Sequence, residues 1–306
     1  MKMRFFIVVI CIFFIPILNV YPQFTPKFDG HYIQYRYDET LSQDYSLSYR
    51  FRAQNIIECI RVQYIDYEPE IRTTKIGTFS IVYSHEVPFL NIRWNDNTTE
   101  RLLMLICDDF ISLYDSNSEP IFWGRYYSRE FHEYDVNVFG NSDTEWSSTS
   151  IETIKNVKAS STLVEGNIRY PATPERLGLH INRVWAVEGG IGERLYIMPY
   201  RFDSLYISTG YVNYSRPNLF QENSRPKRIR IIGAYFGHDF YMVDKPKIYE
   251  NYFEVELEDT PNYQIINFPN QGNYQHYIIE ITEIYHGTRF NHTSINSIML
   301  KIYEGP

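Results

Sequence analysis

The chain has 306 residues, of which 17% are aromatic, and its formal net charge is −8. The negative charge argues against a nucleic-acid partner, because phosphate binding needs a clustered positive surface and the basic run at residues 225–230 is short. Tyrosine, phenylalanine and β-branched residues favour half-buried pleated surfaces, so the composition predicts an all-β protein. The length allows two domains, each with its own core.

The first 23 residues have the layout of a secretory signal peptide: two basic residues precede an apolar run over residues 5–20. An uncleaved anchor is the alternative, although the run is interrupted by Pro16 and is shorter than the roughly 20 residues that span a bilayer. Cys11 could mark a lipoprotein, but the residue before it is not small. We therefore expect an exported protein, located in the periplasm, at the cell surface or outside the cell, without a membrane span in the mature chain.

Two cysteines remain after the signal segment, Cys59 and Cys107, and both lie in apolar runs. In an oxidising compartment they could form a disulfide, or they could be buried free thiols. Neither lies near a histidine at the spacing of a metal site or of a catalytic nucleophile.

From residue 28 to residue 135 the sequence is mostly a succession of short alternating segments. Turn-forming residues at 95–97 and 115–117 separate them, which favours antiparallel hairpins. A meander of about six to eight strands usually closes into a small barrel, because closure removes exposed edges. We predict a small antiparallel barrel or meander here, with a loose lipocalin-like rhythm.

The polar run at residues 140–150 predicts a linker over residues 136–154. Strand-like runs resume between residues 155 and 303. At residues 253–258 Phe, Val and Leu alternate with Glu, which indicates one buried and one solvated face. About seven strands with long loops predict a jelly-roll β-sandwich in this half.

Several short motifs follow one another through the second half: ASSTL at 159–163, YP at 170–171, VWAVEGGIGE at 184–193, GY at 210–211, NSRPKR at 223–228, IYHGT at 284–288 and TSINSI at 293–298. In this order they resemble the NADase-type glycan-binding domain, a discoidin-like β-sandwich that serves as the translocation domain of a secreted bacterial NAD glycohydrolase. The resemblance covers residues 155–303. It implies a bacterial carbohydrate-binding module that holds its ligand with loops at one end of the sandwich. NAD cleavage is not implied, because in that enzyme the chemistry belongs to a separate domain.

Sugars offer hydroxyl groups that need fixed donors and acceptors, and a CH-rich face that packs on aromatic rings. The candidate glycan-binding residues are four rings and four polar side chains: Tyr170, Trp185, Tyr211, Tyr214, Glu188, Arg216, Asn223 and Arg225.

Some of these residues also have structural alternatives. Trp185 could be a core residue, since tryptophan is highly buried on average. Glu188 could cap the glycine turn that follows it, and Asn223 and Arg225 could lock the loop before the next strand. The family usually has Asp-Gly ahead of the tryptophan, where this chain has Leu-Gly at 177–178, which places a loop-organising cation in doubt.

No sequence pattern for catalysis is present. The eight histidines have no metal-ligand spacing, no Gly-x-Ser-x-Gly elbow occurs, and the adjacent Asp108 and Asp109 suit a hairpin better than a pair of catalytic acids. We expect a non-catalytic protein without a cofactor, whose partner is a glycan or glycoconjugate. The alternative is a structural or protein-interaction module of the cell envelope that has lost sugar binding and contacts an envelope protein.

Overall fold

The computed structural model describes residues 31–38, 43–65, 68–127, 148–198, 202, 204–235, 247–268 and 276–304. Within these ranges nearly all regular structure is antiparallel strand, arranged as a barrel followed by a two-sheet sandwich. The predicted all-β class is therefore confirmed. The predicted signal segment and most of the predicted linker lie outside the described residues. No helix in the described ranges is long and apolar enough to cross a membrane.

The first unit is a closed barrel of eight strands. In chain order these strands are β1 His31–Asp38, β2 Gln43–Arg52, β3 Ile56–Ile65, β4 Glu68–Ser84, β5 Val87–Trp94, β6 Thr99–Cys107, β7 Phe110–Tyr114 and β8 Pro120–Tyr127. A 3₁₀ turn at Ala53–Asn55 joins β2 to β3. Consecutive strands pair antiparallel, and β1 also pairs with β8. The predicted small barrel is confirmed, and its closure leaves no open edge for another strand to join.

Large side chains fill the barrel interior. The ring of Phe51 lies edge-on against Tyr32 and Phe79, with centroids 5.9 and 5.2 Å apart. Tyr49 and Phe122 make a similar contact at 4.8 Å. These arrangements are the ones that aromatic pairs prefer, so the interior is a packed core.

The two cysteines are free thiols, so the disulfide alternative is wrong. Cys59 packs against the interior cluster of the barrel, whereas Cys107 belongs to a second cluster on its outer surface. The two side chains therefore lie on different sides of the barrel wall. Burial raises the pKa of both thiols, which keeps them protonated.

The second unit is a sandwich of two antiparallel sheets. Its strands are β9 Ser148–Thr153, β10 Val157–Ala159, β11 Val164–Glu165, β12 Ile168–Arg169, β13 Trp185–Glu188, β14 Arg194–Ile197, β15 Ser204–Thr209, β16 Arg225–Tyr235, β17 Lys247–Glu256, β18 Gln264–Asn267, β19 His276–Tyr285 and β20 His292–Glu304. One sheet has the order β10-β14-β19-β16-β17; the other has β13-β20-β15-β18, with β9 also paired to β20. Strands β11 and β12 form a separate hairpin. Two short helices, α1 Pro174–Leu177 and α2 Leu219–Glu222, lie in the loops.

The end of the predicted linker is a strand. Residues 148–153 form β9, which pairs with residues 299–304 of β20. Ile151 packs against a buried cluster, and Ile154, directly after the strand, is fully buried in the sandwich core. The serine and threonine residues of this segment led to the prediction of a linker. Threonine and isoleucine are also favoured in a strand that pairs with another strand.

The sandwich core forms between the two sheets. Ile229 and Ile231 of β16 face Leu205 and Ile207 of β15 within one buried cluster. In residues 252–257 exposed and half-buried or buried side chains alternate, so the predicted two-faced strand is confirmed.

Barrel and sandwich share a further buried cluster. Phe110 on the outer face of β7 lies 5.4 Å from the ring of Tyr263, and it also contacts Tyr206 of β15. The backbone N–H of Ile106 donates to Oδ1 of Asn262 at 3.2 Å. All five residues of β7 are buried, as expected of a strand covered on both faces.

Candidate functional site

One end of the sandwich carries a concave site of about 250 Å³, which we call the loop pocket. Four of the predicted site residues line it: Tyr170, Tyr211, Arg216 and Asn223. The rest of the lining consists of residues that sequence reasoning missed: Leu163, Glu165, Ala186, Leu219, Phe290, His292 and Ser294. The pocket therefore draws on the β11–β12 hairpin, strand β13, the loop after β15, helix α2 and the start of β20.

Two tyrosine rings form one wall of the pocket. Tyr170 and Tyr211 stand edge to face with centroids 6.5 Å apart, and the guanidinium of Arg176 lies 5.9 Å from the ring of Tyr170. Desolvation, followed by a hydrogen bond to the carboxylate of Glu165, raises the pKa of Tyr170 to about 12. Burial also raises the pKa of Tyr211. Both hydroxyls are therefore neutral donors at physiological pH.

Glu165 connects the hairpin to the start of β20. Its Oε1 lies 3.5 Å from Nδ1 of His292, whose ring stacks on Phe290 with centroids 5.8 Å apart and planes 7° from parallel. The hairpin places Glu165 directly before its turn, where Gly166 has a φ of 60°. The carboxylate can therefore accept hydrogen bonds from tyrosine, histidine and a ligand hydroxyl.

The loop after β15 positions Tyr211 and Arg216. It begins at Gly210, which has a φ of 83° and where a Cβ would come within 2.6 Å of the Phe220 ring, so a glycine is needed. Oδ1 of Asn213 accepts the backbone N–H groups of Ser215 and Arg216 at 3.0 and 2.9 Å, which shapes the turn. Arg216 is exposed, and no carboxylate in the described part of the chain pairs with it. Its guanidinium is available to a ligand.

Asn223 and Arg225 hold helix α2 in place. Nδ2 of Asn223 donates to the carbonyl of Leu219 at 2.9 Å, so the side-chain amide is bonded to helix α2. The same residue also lines the pocket. Arg225 makes two bonds to the carboxylate of Asp259, at 2.6 and 2.8 Å, and donates to two backbone carbonyls. Its side chain is almost fully buried. Arg225 therefore positions the loop and does not line the pocket, as the structural alternative predicted.

The ring of Trp185 does not face the pocket, and its prediction as a sugar platform is wrong. The side chain is fully buried between the sheets, and its indole N–H donates to the carbonyl of Ser161 at 3.1 Å. Strand β13 alternates, so Trp185 and Val187 point into the core while Ala186 points to the pocket.

Tyr214 and Glu188 also lie outside the pocket lining. Tyr214 reaches across to the barrel, where its hydroxyl donates to the carbonyl of Arg101 at 2.9 Å and its ring lies 5.3 Å from that of Phe89. Glu188 ends β13 opposite His292 in the β13–β20 register and is exposed.

The position of the family's Asp-Gly is apolar here. Leu177 is fully buried in the sandwich core, and the carbonyl of Gly178 accepts a bond from the Ser297 hydroxyl at 2.7 Å. Within the described ranges no group of three or more His, Cys, Asp or Glu side chains is placed to hold a metal ion.

Two solved structures are weakly similar to this chain over about half of its length. Among solved structures, the family 32 CBM of NanJ from C. perfringens, in complex with galactose, is 13% identical with a TM-score of 0.35; the match covers 50% of this chain and 99% of that chain. The F5/8 type C domain of a Bacteroides fragilis protein is also 13% identical, with a TM-score of 0.32, over 48% of this chain and 91% of that one. A search of curated proteins found no match.

The family model described as "NAD glycohydrolase translocation F5/8 type C domain" matches residues 147–301, the range that contains both sheets of the sandwich and the loop pocket. The match begins one residue before β9 and ends within β20, and it spans half of the chain. The chain therefore belongs to the NAD glycohydrolase translocation F5/8 type C domain family, with a discoidin-like sandwich as its second unit.

Proposed function

We propose that this chain is an exported, non-catalytic protein that binds a glycan in the loop pocket. The observation that carries the proposal is the meeting of two tyrosine rings with Glu165, Arg216 and His292 in one concave site. The rings offer an apolar wall to the CH face of a sugar. The carboxylate, the guanidinium and the imidazole offer fixed acceptors and donors to its hydroxyl groups.

The size of the pocket indicates how much of a glycan it takes. Its volume of about 250 Å³ lies below the range of about 300–1,000 Å³ that is usual for drug-sized ligands. A single terminal sugar suits this volume better than an internal stretch of a polysaccharide.

The single carboxylate among the residues that line the loop pocket supports a binding role over glycoside hydrolysis. Hydrolysis of a glycosidic bond ordinarily uses two carboxyl groups that face each other across the bond. Glu165 is the one carboxylate among the residues that line the loop pocket, and it is already engaged by Tyr170 and His292. Its chemistry is that of a hydrogen-bond acceptor for ligand recognition.

A glycan array probed with the folded chain tests the proposal, with retained glycans then measured by calorimetry. Tyr211→Ala and Arg216→Gln should each weaken binding about tenfold or more, since each removes a ring contact or a charge-assisted hydrogen bond. Tyr252→Ala is the matched control, because that ring is 56% exposed on β17 and lies outside the pocket. Absence of any retained glycan, with a cooperative melt recorded for the same sample, would reject the proposal.

An envelope protein is the second candidate ligand. The hairpin at the rim of the pocket exposes Val164 and Ile168 by 55% and 57%, a small apolar surface of the kind found at protein contacts. The double substitution Val164→Ser and Ile168→Ser should abolish capture of such a protein by cross-linking. The same change should leave glycan affinity within about twofold, because neither side chain supplies a polar group to a sugar.

A further inference from the structure

The outer face of the barrel carries an open groove of about 560 Å³ across β4, β5 and β6, which we call the barrel groove. Cross-strand pairing aligns its outward side chains in two rows of three: Thr78, Arg93 and Thr99, then Ser80, Asn91 and Arg101. Five of the six are exposed and Asn91 is half-buried. Every residue in the two rows is polar, and two are arginines.

The residues between these rows point the other way. Phe79, Ile92 and Glu100 complete the lining of the groove. Phe79 and Ile92 belong to the interior cluster of the barrel, and Glu100 pairs with Ile92 in the register, on that same face. The alternation of the strands therefore places Glu100 on the opposite face of the sheet from the two arginines. The outward rows themselves contain no carboxylate.

Both arginines of the groove are free of ion pairs in the described part of the chain. On the sandwich, by contrast, Arg194 and Arg230 pair with glutamates at 2.6 and 2.8 Å. The guanidinium carbon of Arg101 lies 4.1 Å from the centroid of the Phe89 ring, so the charged group itself stacks on this ring. In a protein with a net charge of −8, two arginines without carboxylate partners on one polar face form a local site for an anion.

The loop after β15 connects this groove to the loop pocket. Tyr211 and Arg216 line the pocket, and Tyr214 between them bonds to the carbonyl of Arg101 and packs on Phe89. The backbone N–H of Tyr214 also donates to the hydroxyl of Ser118 at 3.2 Å, so the barrel holds this loop at two points. Arg216, two residues after Tyr214, also has no carboxylate partner in the described part of the chain.

We propose that the barrel groove is a second subsite, which binds a sulfated or carboxylated stretch of a saccharide whose terminal sugar occupies the loop pocket. The inference rests on the proposed function of that pocket and extends it to a class of ligand, the anionic glycans. Arginine binds planar or tetrahedral oxyanions through paired N–H groups, and the threonine, serine and asparagine side chains suit the hydroxyls between the charges. An open sheet surface accommodates an extended chain.

The test uses the folded full chain and two probes, a heparin hexasaccharide, which carries sulfate and carboxylate groups, and a neutral hexasaccharide that carries neither. At about 50 mM NaCl, where screening is weak, the sulfated probe should bind about tenfold or more tightly than the unsulfated one. The double substitution Arg93→Gln and Arg101→Gln should remove that difference and flatten the salt dependence. The control is Lys155→Gln with Lys158→Gln, which makes the same change in charge at two exposed positions of the sandwich.

The outcomes separate the subsite from the pocket. Equal binding of the two probes, no binding of the sulfated probe, or an unchanged affinity in the arginine double variant would each overturn the subsite. Equally tight binding of inorganic polyphosphate would overturn its assignment to saccharides. Loss of affinity in the arginine variant together with full affinity in Tyr211→Ala would retain the groove and reject the proposed role of the pocket.

Discussion

The indole of Trp185 lies between the two sheets, where it contributes to folding and has no exposed surface to offer a ligand. Trp185→Ala should lower the free energy of unfolding by about 3–5 kcal/mol, because it leaves a cavity and removes the bond to Ser161. Denaturant unfolding followed by circular dichroism measures this change.

Tyr211→Ala serves as the comparison for Trp185→Ala, since Tyr211 is a half-buried pocket ring and its removal should affect binding more than stability. A Trp185→Ala protein that keeps its stability but loses ligand affinity would contradict the assignment of this residue to the core.

Four of the eleven residues that line the loop pocket were predicted from the sequence, and the other seven were not, for a geometric reason. Tyr211 belongs to the motif at 210–211 that resembles the family, and Arg216 follows it in the same loop. Glu165 and His292 are far apart in the chain and meet only because β13 pairs with the start of β20 beside the β11–β12 hairpin. The pairing register of β13 and β20 cannot be deduced from a single sequence. The glycine after Glu165 was a sequence feature that indicated a turn at this position.

At the level of elements, the turn between β13 and β14 depends on glycines with positive φ. Gly190 has a φ of 109°, and a Cβ there would lie 2.3 Å from Oγ1 of the buried Thr293. That hydroxyl donates to the carbonyl of Gly189 at 2.6 Å, which ties the turn to β20. The glycine turn that the sequence analysis placed after Glu188 is therefore present between β13 and β14.

Gly190→Ala should therefore destabilise the fold by more than Gly189→Ala. At Gly189, with a φ of 74° and no atom within 4 Å of an added Cβ, alanine carries only the backbone penalty of about 1–2 kcal/mol. At Gly190 the clash with Thr293 adds about 1–3 kcal/mol. Thermal melts of the two variants measure the difference, and equal melting temperatures would contradict the role of the Thr293 contact.

Strand patterns were predicted best where one face is solvated. Residues 253–257 alternate in sequence and in burial, because β17 packs one face on the core and presents glutamates on the other. Arg230 of β16 reaches Glu254 at 2.8 Å across that outer face. The prediction failed at β9, whose polar residues become a strand only through pairing with β20. That partner lies at the far end of the chain.

At the scale of the molecule, the sequence analysis predicted two domains joined by a linker, but it did not predict that the two domains pack against each other. A sequence feature that indicates this contact lies in β6, where residues 102–107 are all apolar and do not alternate with polar residues. Such a run indicates a strand covered on both faces. One face packs inside the barrel, and the other packs against Tyr206, Tyr263 and Met299 of the sandwich. An isolated closed barrel would expose apolar side chains on its outer face to water, so the prediction of a barrel alone does not explain them.

This shared cluster should make barrel and sandwich unfold as one unit. In hydrogen-exchange mass spectrometry, peptides from β6 and from β20 should open with the same free energy in the intact chain. Phe110→Ala, which removes the ring that contacts Tyr206 and Tyr263, should cost about 3–5 kcal/mol and separate the two opening free energies. Phe51→Ala is the control, because that ring is buried inside the barrel and its loss should lower both free energies together. Different opening free energies for β6 and β20 before any substitution would contradict this prediction and show that the two units unfold independently.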